Sequence, residues 1–391
     1  MTIVAPPTAG YDLHALRTAE FPWAARGDAT YLNNASTGPV PARAAEAQRD
    51  WIVRRCEPFR LADPDLVALL DRARTLTARL VGAGVDEIAL MPNTTYGLNV
   101  AATALPLAPG DVVVTSDREF PANVYPWMAL AARGVRLELV PTTPEGWPDE
   151  EALLAALARP EVKALTVSWV QFASGYRVDL ARLGAACRAL GKWFVVDAIQ
   201  GVGALPLDLG ATPVDVLACG AQKWLLSPWG TGFLYVRRAL VERLVPGYVG
   251  WLAVHGSDDY SRLTRYDFTL WPDARRFEVR TLPFQDIAGY VASLELFLEL
   301  GPAHVASHVA ALADRIVRWA AARDDVRLAT PTDPARRAGI VGVVPHDAVA
   351  AAARLREAGV THSVREGAVR LSPHGYNTAD EVDRALAALA G

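Results

Sequence analysis

Lysine is nearly missing from this chain. Of 391 residues, 39 are lysine or arginine, and only Lys163, Lys192 and Lys223 are lysines. Cysteine is equally scarce, at three residues. Scattered as Cys56, Cys187 and Cys219, these exclude a disulfide framework and suit a reducing compartment. Long apolar runs are absent too: none approaches the roughly 18 residues of a membrane span. The opening MTIVAPPTAGYDLHAL lacks a basic segment followed by an apolar one, so no secretory leader is expected. Excess positive charge is also lacking, since the net charge is −4. That gives no electrostatic ground for nucleic acid or an anionic membrane as partner. A cytoplasmic globular protein is the expectation.

What is present is apolar and alternating. Hydrophobic residues make up 51% and charged ones 21%, a globular balance. Asp63 and Pro64 read as an N-cap and first helical position, followed by leucines at helical spacing until Gly82. Short apolar strands then alternate with helices: EIALM, DVVVTSD, VRLELV, KALTVSWV, WFVVDA, VDVLACG and GFLYV are the strands. Such alternation predicts an α/β fold, a mostly parallel sheet covered by helices on both faces. From about residue 284 the pattern becomes two long helices, short strands around GIVGVVP and AVRLS, and a last helix from Thr378. The division expected is a large domain over 29–283 and a smaller α+β domain made of 1–28 and 284–391.

In a parallel sheet, ligands sit beyond the carboxyl ends of the strands. Those exits hold the chemistry. Lys223, in CGAQKW, follows an apolar strand. In a chain that otherwise uses arginine, an amine there suggests a nucleophile able to form an imine with a carbonyl; a solvated loop lysine is the plain alternative. Asp197 ends the apolar strand WFVVD, where a carboxylate needs a cationic or hydrogen-bonding partner. A protonated pyridine nitrogen would serve, as would a turn. Gln200 lies three residues on. Asn93, Thr94 and Thr95 stand where a strand turns into a helix, an arrangement that offers free amides to a phosphate. Phe120 follows another strand and would either lie on an aromatic ring or fill the core.

The order NTTxG, EFPxN, VVDAxQ and QK resembles the class V aminotransferase family of pyridoxal-phosphate (PLP) enzymes. YLNNASTGPVP, RFEVRTLP and VRLSPHGYNT extend the resemblance over nearly the whole chain. It implies the PLP-dependent transferase fold, PLP joined to Lys223 as an imine, Asp197 on the pyridine nitrogen and Gln200 on the ring hydroxyl. Phe120 would stack on the ring, and Thr94, Thr95 and Gln222 would hold the phosphate. Thr281 would reach the phosphate of the other subunit, which implies a homodimer with shared sites. Arg370 would clamp the α-carboxylate of an amino-acid substrate, with Asn34 beside it. Arg280 departs from the small residue the family commonly has after RFE; it would either read a second acidic group on the substrate or pair with an acid at the dimer surface.

Relatives that desulfurate cysteine carry a nucleophilic cysteine shortly before the clamp arginine. Here LREAGVTHSVREGAVR has none, and Phe120 stands where a histidine is usual. Persulfide chemistry is therefore not expected. His304 and His308, spaced i, i+4, suggest a polar helix face rather than half a metal site, and no metal is expected. His374 and Tyr376 would shape the clamp. With Lys223 as base, three outcomes stay open: β-elimination from a cysteine derivative as the lead, epimerisation, or transamination. A PLP-fold binding protein is disfavoured by the presence of both Lys223 and Asp197. A nucleotide-binding fold is disfavoured because neither G-x-G-x-x-G nor a P-loop occurs.

Overall fold

The computed structural model describes residues 10–390, apart from 258, 260, 262 and 280. Strand β1 (Thr30–Tyr31) is followed by seven strands that form one sheet. These are β2 (Ile88–Leu90), β3 (Val112–Ser116), β4 (Arg136–Val140), β5 (Val162–Ser168), β6 (Trp193–Asp197), β7 (Val216–Gly220) and β8 (Gly232–Val236). Their order is β2-β8-β7-β6-β5-β3-β4. Neighbours pair in parallel from β7 to β4, and β8 alone runs against the rest. The predicted parallel sheet is therefore present.

Burial explains the uninterrupted apolar spelling of the central strands. Every residue of β3, β7 and β8 is buried, because each strand faces packed helices on both sides. Val216 and Ala218 point into one core with Leu98 and Ala101 of helix Thr94–Ala104. Leu217 and Cys219 point into the other, with Leu76 and Leu80 of helix Asp63–Val81 and Leu294 of helix Phe284–Leu300. The alternation follows from the two-residue repeat of a strand. Edge strand β4 is the least covered, and there charge intrudes at Arg136 and Glu138.

A second sheet of four strands holds β9 (Val326–Leu328), β10 (Val341–Pro345), β12 (Ser363–Arg365) and β13 (Ala368–Leu371), in the order β12-β13-β10-β9. Strand β11 (Val360–Thr361) pairs in parallel with β1. Residues near the N-terminus pack against this region: the Tyr11 hydroxyl donates to Gly375 O at 2.6 Å, and Arg17 bonds Tyr376 O and Glu381. Tyr11 and Arg17 thus tie their segment to the C-terminal one; the domain limits remain our proposal.

One local expectation is corrected. Helix Asp63–Val81 is flanked by Ala62, so Asp63 lies in the first turn and does not cap it; Gly82 ends the helix as expected, with φ 64°. Between β3 and β4, the stretch YPWMALAARG forms a short helix, Tyr125–Met128, continued by a 3₁₀ turn over Ala129–Arg133. No single helix among the described residues is long and apolar enough to cross a membrane.

One buried ion pair ties the RFE element to the sheet. Arg74 donates to both oxygens of Glu278, at 3.0 and 2.8 Å, and Glu278 also accepts from Leu90 N of β2 at 2.9 Å. Burial makes such a pair costly to break. Arg74→Ala is expected to lower unfolding stability by about 3–5 kcal/mol, read as a shifted denaturant midpoint at unchanged slope.

Candidate active site

The exits of β2, β3, β5, β6 and β7 all lie at the carboxyl edge of the sheet, because these five strands run the same way. That edge gathers Thr94, Phe120, Phe172, Asp197 and Lys223. Asp197, the last residue of β6, is 2% exposed. Its Oδ1 accepts from Ile199 N at 3.0 Å, and no cation bonds it among the described residues. Burial pushes this carboxyl up, and the nearby Glu119 adds to the shift. The Lys223 amine is pushed down by the same loss of water, while the Asp197 charge opposes that shift. Its Nζ lies 5.6 Å from the centre of the Phe120 ring.

Phe120 is 41% exposed and meets Phe172 edge-on at 5.3 Å. It is a wall of the site and not a core residue. Glu119, beside it, is buried and raised by burial. It accepts from Ser168 N at 2.9 Å, from the Ser168 hydroxyl, from Gln171 Nε2 at 2.9 Å and from Asn123 Nδ2 at 3.2 Å.

At the opposite end, Asn93 caps helix Thr94–Ala104 by accepting from Tyr96 N at 2.9 Å. The amides of Thr94 and Thr95 belong to the first turn, which has no intrahelical acceptor for them. The Thr94 hydroxyl accepts from Gly220 N at 2.8 Å, and Thr95 is exposed. Gln222 Oε1 is buried without a hydrogen-bond partner. A Cβ placed on Gly220 would come within 2.6 Å of that oxygen and 3.3 Å of the Thr94 hydroxyl. The cradle is open only because residue 220 has no side chain.

Arg370, on β13, is 2% exposed with no carboxylate partner among the described residues. Its Nε donates to Ser363 Oγ at 3.0 Å, Nη1 to Phe172 O at 2.6 Å and Nη2 to Ser36 Oγ at 2.8 Å. One hydrogen stays free on each terminal nitrogen, the fork that a carboxylate fits. Burial pulls the guanidinium down to about 10, helped by the charge of Arg365.

Three expected residues are more constrained than the sequence suggested. Asn34 is fully buried and braces the fold, donating to Ser372 O at 2.8 Å and accepting from the Tyr376 hydroxyl at 3.0 Å. These bonds commit its oxygen and one amide hydrogen to the fold. Gln200 donates to Ala35 O at 3.0 Å and accepts from Trp224 Nε1 at 2.8 Å, so only one amide hydrogen remains for a ring hydroxyl. Thr281 is exposed, away from any hydrogen bond among the described residues, and Arg280 lies outside them. His308 corrects the polar-face reading: it is buried, and its Nε2 meets Asn377 O at 2.8 Å, whereas His304 is exposed.

Sequence reasoning missed Ser36, Ser363 and the Phe172 carbonyl. The two serines lay in the quoted YLNNASTGPVP and LREAGVTHSVREGAVR, and Phe172 follows just after KALTVSWV, but no pattern marks a carbonyl as an arginine brace. His374, expected only to shape the clamp, has a second role. This ring is buried against Trp224, accepts from Gly375 N at 2.7 Å and meets Trp224 O at 3.0 Å. It therefore fixes the peptide next to Lys223.

A sequence model of the class V aminotransferases matches residues 30–385. The chain belongs to that family. It is 31% identical to isopenicillin N epimerase of Streptomyces clavuligerus, over 92% of this chain and 94% of that one. It is 30% identical to a probable cysteine desulfurase of Aeropyrum pernix, over 84% and 81%. Its fold matches a cystine C–S lyase solved with its product cysteine persulfide, at a TM-score of 0.86 and 24% identity, over 94% and 99%. The protein is a PLP-dependent enzyme. The residues present fit that cofactor: an unpaired buried carboxylate for the ring nitrogen, a desolvated amine, and an orphaned amide oxygen beside a cradle that a Cβ would fill.

Lys163 and Lys192 offer no competing amine, since each donates to a backbone carbonyl, Pro160 O and Arg159 O. Borohydride reduction of the holoenzyme followed by peptide mapping is expected to find the cofactor on Lys223; an adduct at either other lysine would refute the assignment. Gly220→Ala is expected to weaken cofactor affinity by about tenfold, from overpacking of 1–3 kcal/mol, measured by titrating the apoenzyme.

Proposed function

We propose that the enzyme removes the α-proton of a cysteine-derived amino acid and expels its sulfur substituent, releasing a thiol. What supports this reading is one desolvated amine, Lys223, with no free thiol or imidazole, and no free carboxyl but that of Asp197, beside it among the described residues. Among the described residues, Cys219 is buried with its thiol pushed up by desolvation, Cys187 is likewise raised to about 12, and Cys56 lies exposed on helix Ala42–Cys56. No thiol is placed to take sulfur. Glu119 is saturated by hydrogen bonds and His374 has both ring nitrogens engaged.

Bound PLP supplies an electron sink that makes the Cα–H bond acidic. Asp197 would hold the ring nitrogen protonated, which that sink requires. Phe120 would cover one face and exclude water there. Arg370 would fix the α-carboxylate through its two free N–H groups, which fixes the direction of the Cα–H bond. Lys223 would accept the proton at Nζ, an amine whose lowered affinity for protons leaves more of it neutral near pH 7. Loss of a thiolate from Cβ then needs little assistance from an acid.

The match to isopenicillin N epimerase over most of both chains favours a second reading, epimerisation, in which the proton returns to Cα. Incubation with S-alkyl cysteines separates the two. Thiol, pyruvate and ammonia are expected; racemised amino acid with the thioether intact would replace elimination by epimerisation, and keto acid alone would indicate transamination. In either case Arg370→Ala is expected to lower kcat/KM by about a hundredfold or more, as loss of a charge-assisted pair costs 2–5 kcal/mol.

We further infer a homodimer. Large apolar side chains stand exposed at Ile52, Val53 and Phe59, and again at Tyr248, Trp251, Tyr266 and Phe268. Apolar surface of this kind marks an interaction site. Thr281, also exposed, would then contribute to the partner's phosphate cradle. A native-mass measurement is expected to give twice 42.0 kDa; an active monomer would overturn the proposal.

A further inference from the structure

A cavity of about 340 Å³ opens beside the arginine clamp. Phe172 and Gln171 from the exit of β5 and Arg118 from the exit of β3 form one wall, and the four-stranded sheet forms the other. Its position follows from strand register. Arg370 pairs with Ser363 on β12 and with Gly342 on β10. Two residues along each strand, on the same face, lie Ala368, Arg365 and Val344, and Val344 pairs with Arg327 of β9. A two-residue step keeps side chains on one face and moves about 7 Å along it. All four of these residues line the cavity. The row is therefore continuous with the clamp, and the Arg365 charge is felt at both Arg370 and Lys223.

The charge inventory of the cavity is uneven in what remains free. Arg118, Arg327 and Arg365 form no ion pair among the described residues; the only side-chain hydrogen bond of the three runs from Arg365 to Val364 O at 2.8 Å. Four acids also line the space: Asp117, Glu119, Glu145 and Glu366. Three are already engaged. Asp117 accepts from Thr142 N at 3.1 Å, Glu119 is saturated as described, and Glu145 accepts from the Thr143 side chain and its own amide. Only Glu366 is uncommitted among the described residues. Gly146, at φ 83°, keeps space for Arg118: a Cβ there would lie 3.2 Å from its Nη1.

We propose that this cavity receives the far end of the substrate's side chain and that this end carries a carboxylate, read by Arg365 and Arg327 with Arg118 opposite. The proposal rests on Arg370 as the α-carboxylate clamp and narrows the substrate to amino acids with a second acidic terminus. Its volume falls within the range of small-ligand pockets. Guanidinium groups suit a carboxylate because their planar donors match its two oxygens.

The test is a titration of the holoenzyme, following cofactor absorbance, with S-propyl-L-cysteine and S-(2-carboxyethyl)-L-cysteine. The carboxylated ligand is expected to half-saturate at a concentration about tenfold lower, as charge-assisted bonds are the stronger class. In the double variant R327Q/R365Q the two ligands should agree within about twofold, whatever common shift the loss of the Arg365 charge at Arg370 and Lys223 brings to both. Equal half-saturation in the unaltered enzyme, or a gap that survives the double variant, would refute the proposal. The absorbance change is read within the first moments after mixing, before turnover, so it reports binding and does not depend on which bond breaks afterwards. Failure of the clamp itself would show separately, as Arg370→Ala leaving both titrations unmoved.

Discussion

The site is organised by charges that the fold buries without pairing. Asp197 and Arg370 are each 2% exposed, yet neither has an oppositely charged partner among the described residues. Stripping water from a charge is expensive, and proteins usually recover that cost through an ion pair or several hydrogen bonds. Here the hydrogen bonds are only partial. Asp197 receives one backbone amide, and Arg370 keeps a free donor on each terminal nitrogen. The deficits point the same way, toward a cationic ring nitrogen and an anionic carboxylate between them. Arg74 and Glu278, by contrast, are buried and pair with each other.

The two sheets divide the work. The seven-stranded sheet is buried on both faces and so stiffens the exits that carry Thr94, Phe120, Asp197 and Lys223. Its parallel direction brings them to one edge. The four-stranded sheet presents Arg370 from the other side, and the joint between them is made of hydrogen bonds: Arg370 to Phe172 O and Ser36 Oγ, Gln200 to Ala35 O, His374 to Trp224 O. A polar joint of this sort is satisfied only in one arrangement, which favours a single placement of clamp against amine. It also explains why Asn34, Gln200 and His374 act more as braces than as groups facing the substrate.

The reaction type we propose rests on what the edge omits among the described residues. A thiol placed for attack, or a second free acid on the far side of the amine, would open other chemistry. The described thiols are buried with raised proton affinity, or lie exposed on a helix. The remaining selectivity then falls to whatever lies beyond the clamp, where arginines without ion-pair partners share one face with Arg370.

Much of this was legible in the sequence. The uninterrupted apolar strands announced a sheet covered on both sides, because only such burial allows VLAC or GFLYV without a polar residue. Lys223, one of three lysines in an arginine-rich chain, suggested imine chemistry, because the two side chains differ in whether they lose a proton. Spacing placed Asp197, Thr94 and Phe120 at strand exits, since each follows directly from the end of its own strand. What tertiary structure alone decided are the relations between distant segments. Whether Asn34 faces a substrate or a brace depends on residues 372 and 376, more than 300 positions away. Whether Arg370 is free depends on Ser36, Phe172 and Ser363. Local periodicity carries no information about such partners, because a hydrogen bond between remote loops is set by how whole sheets pack.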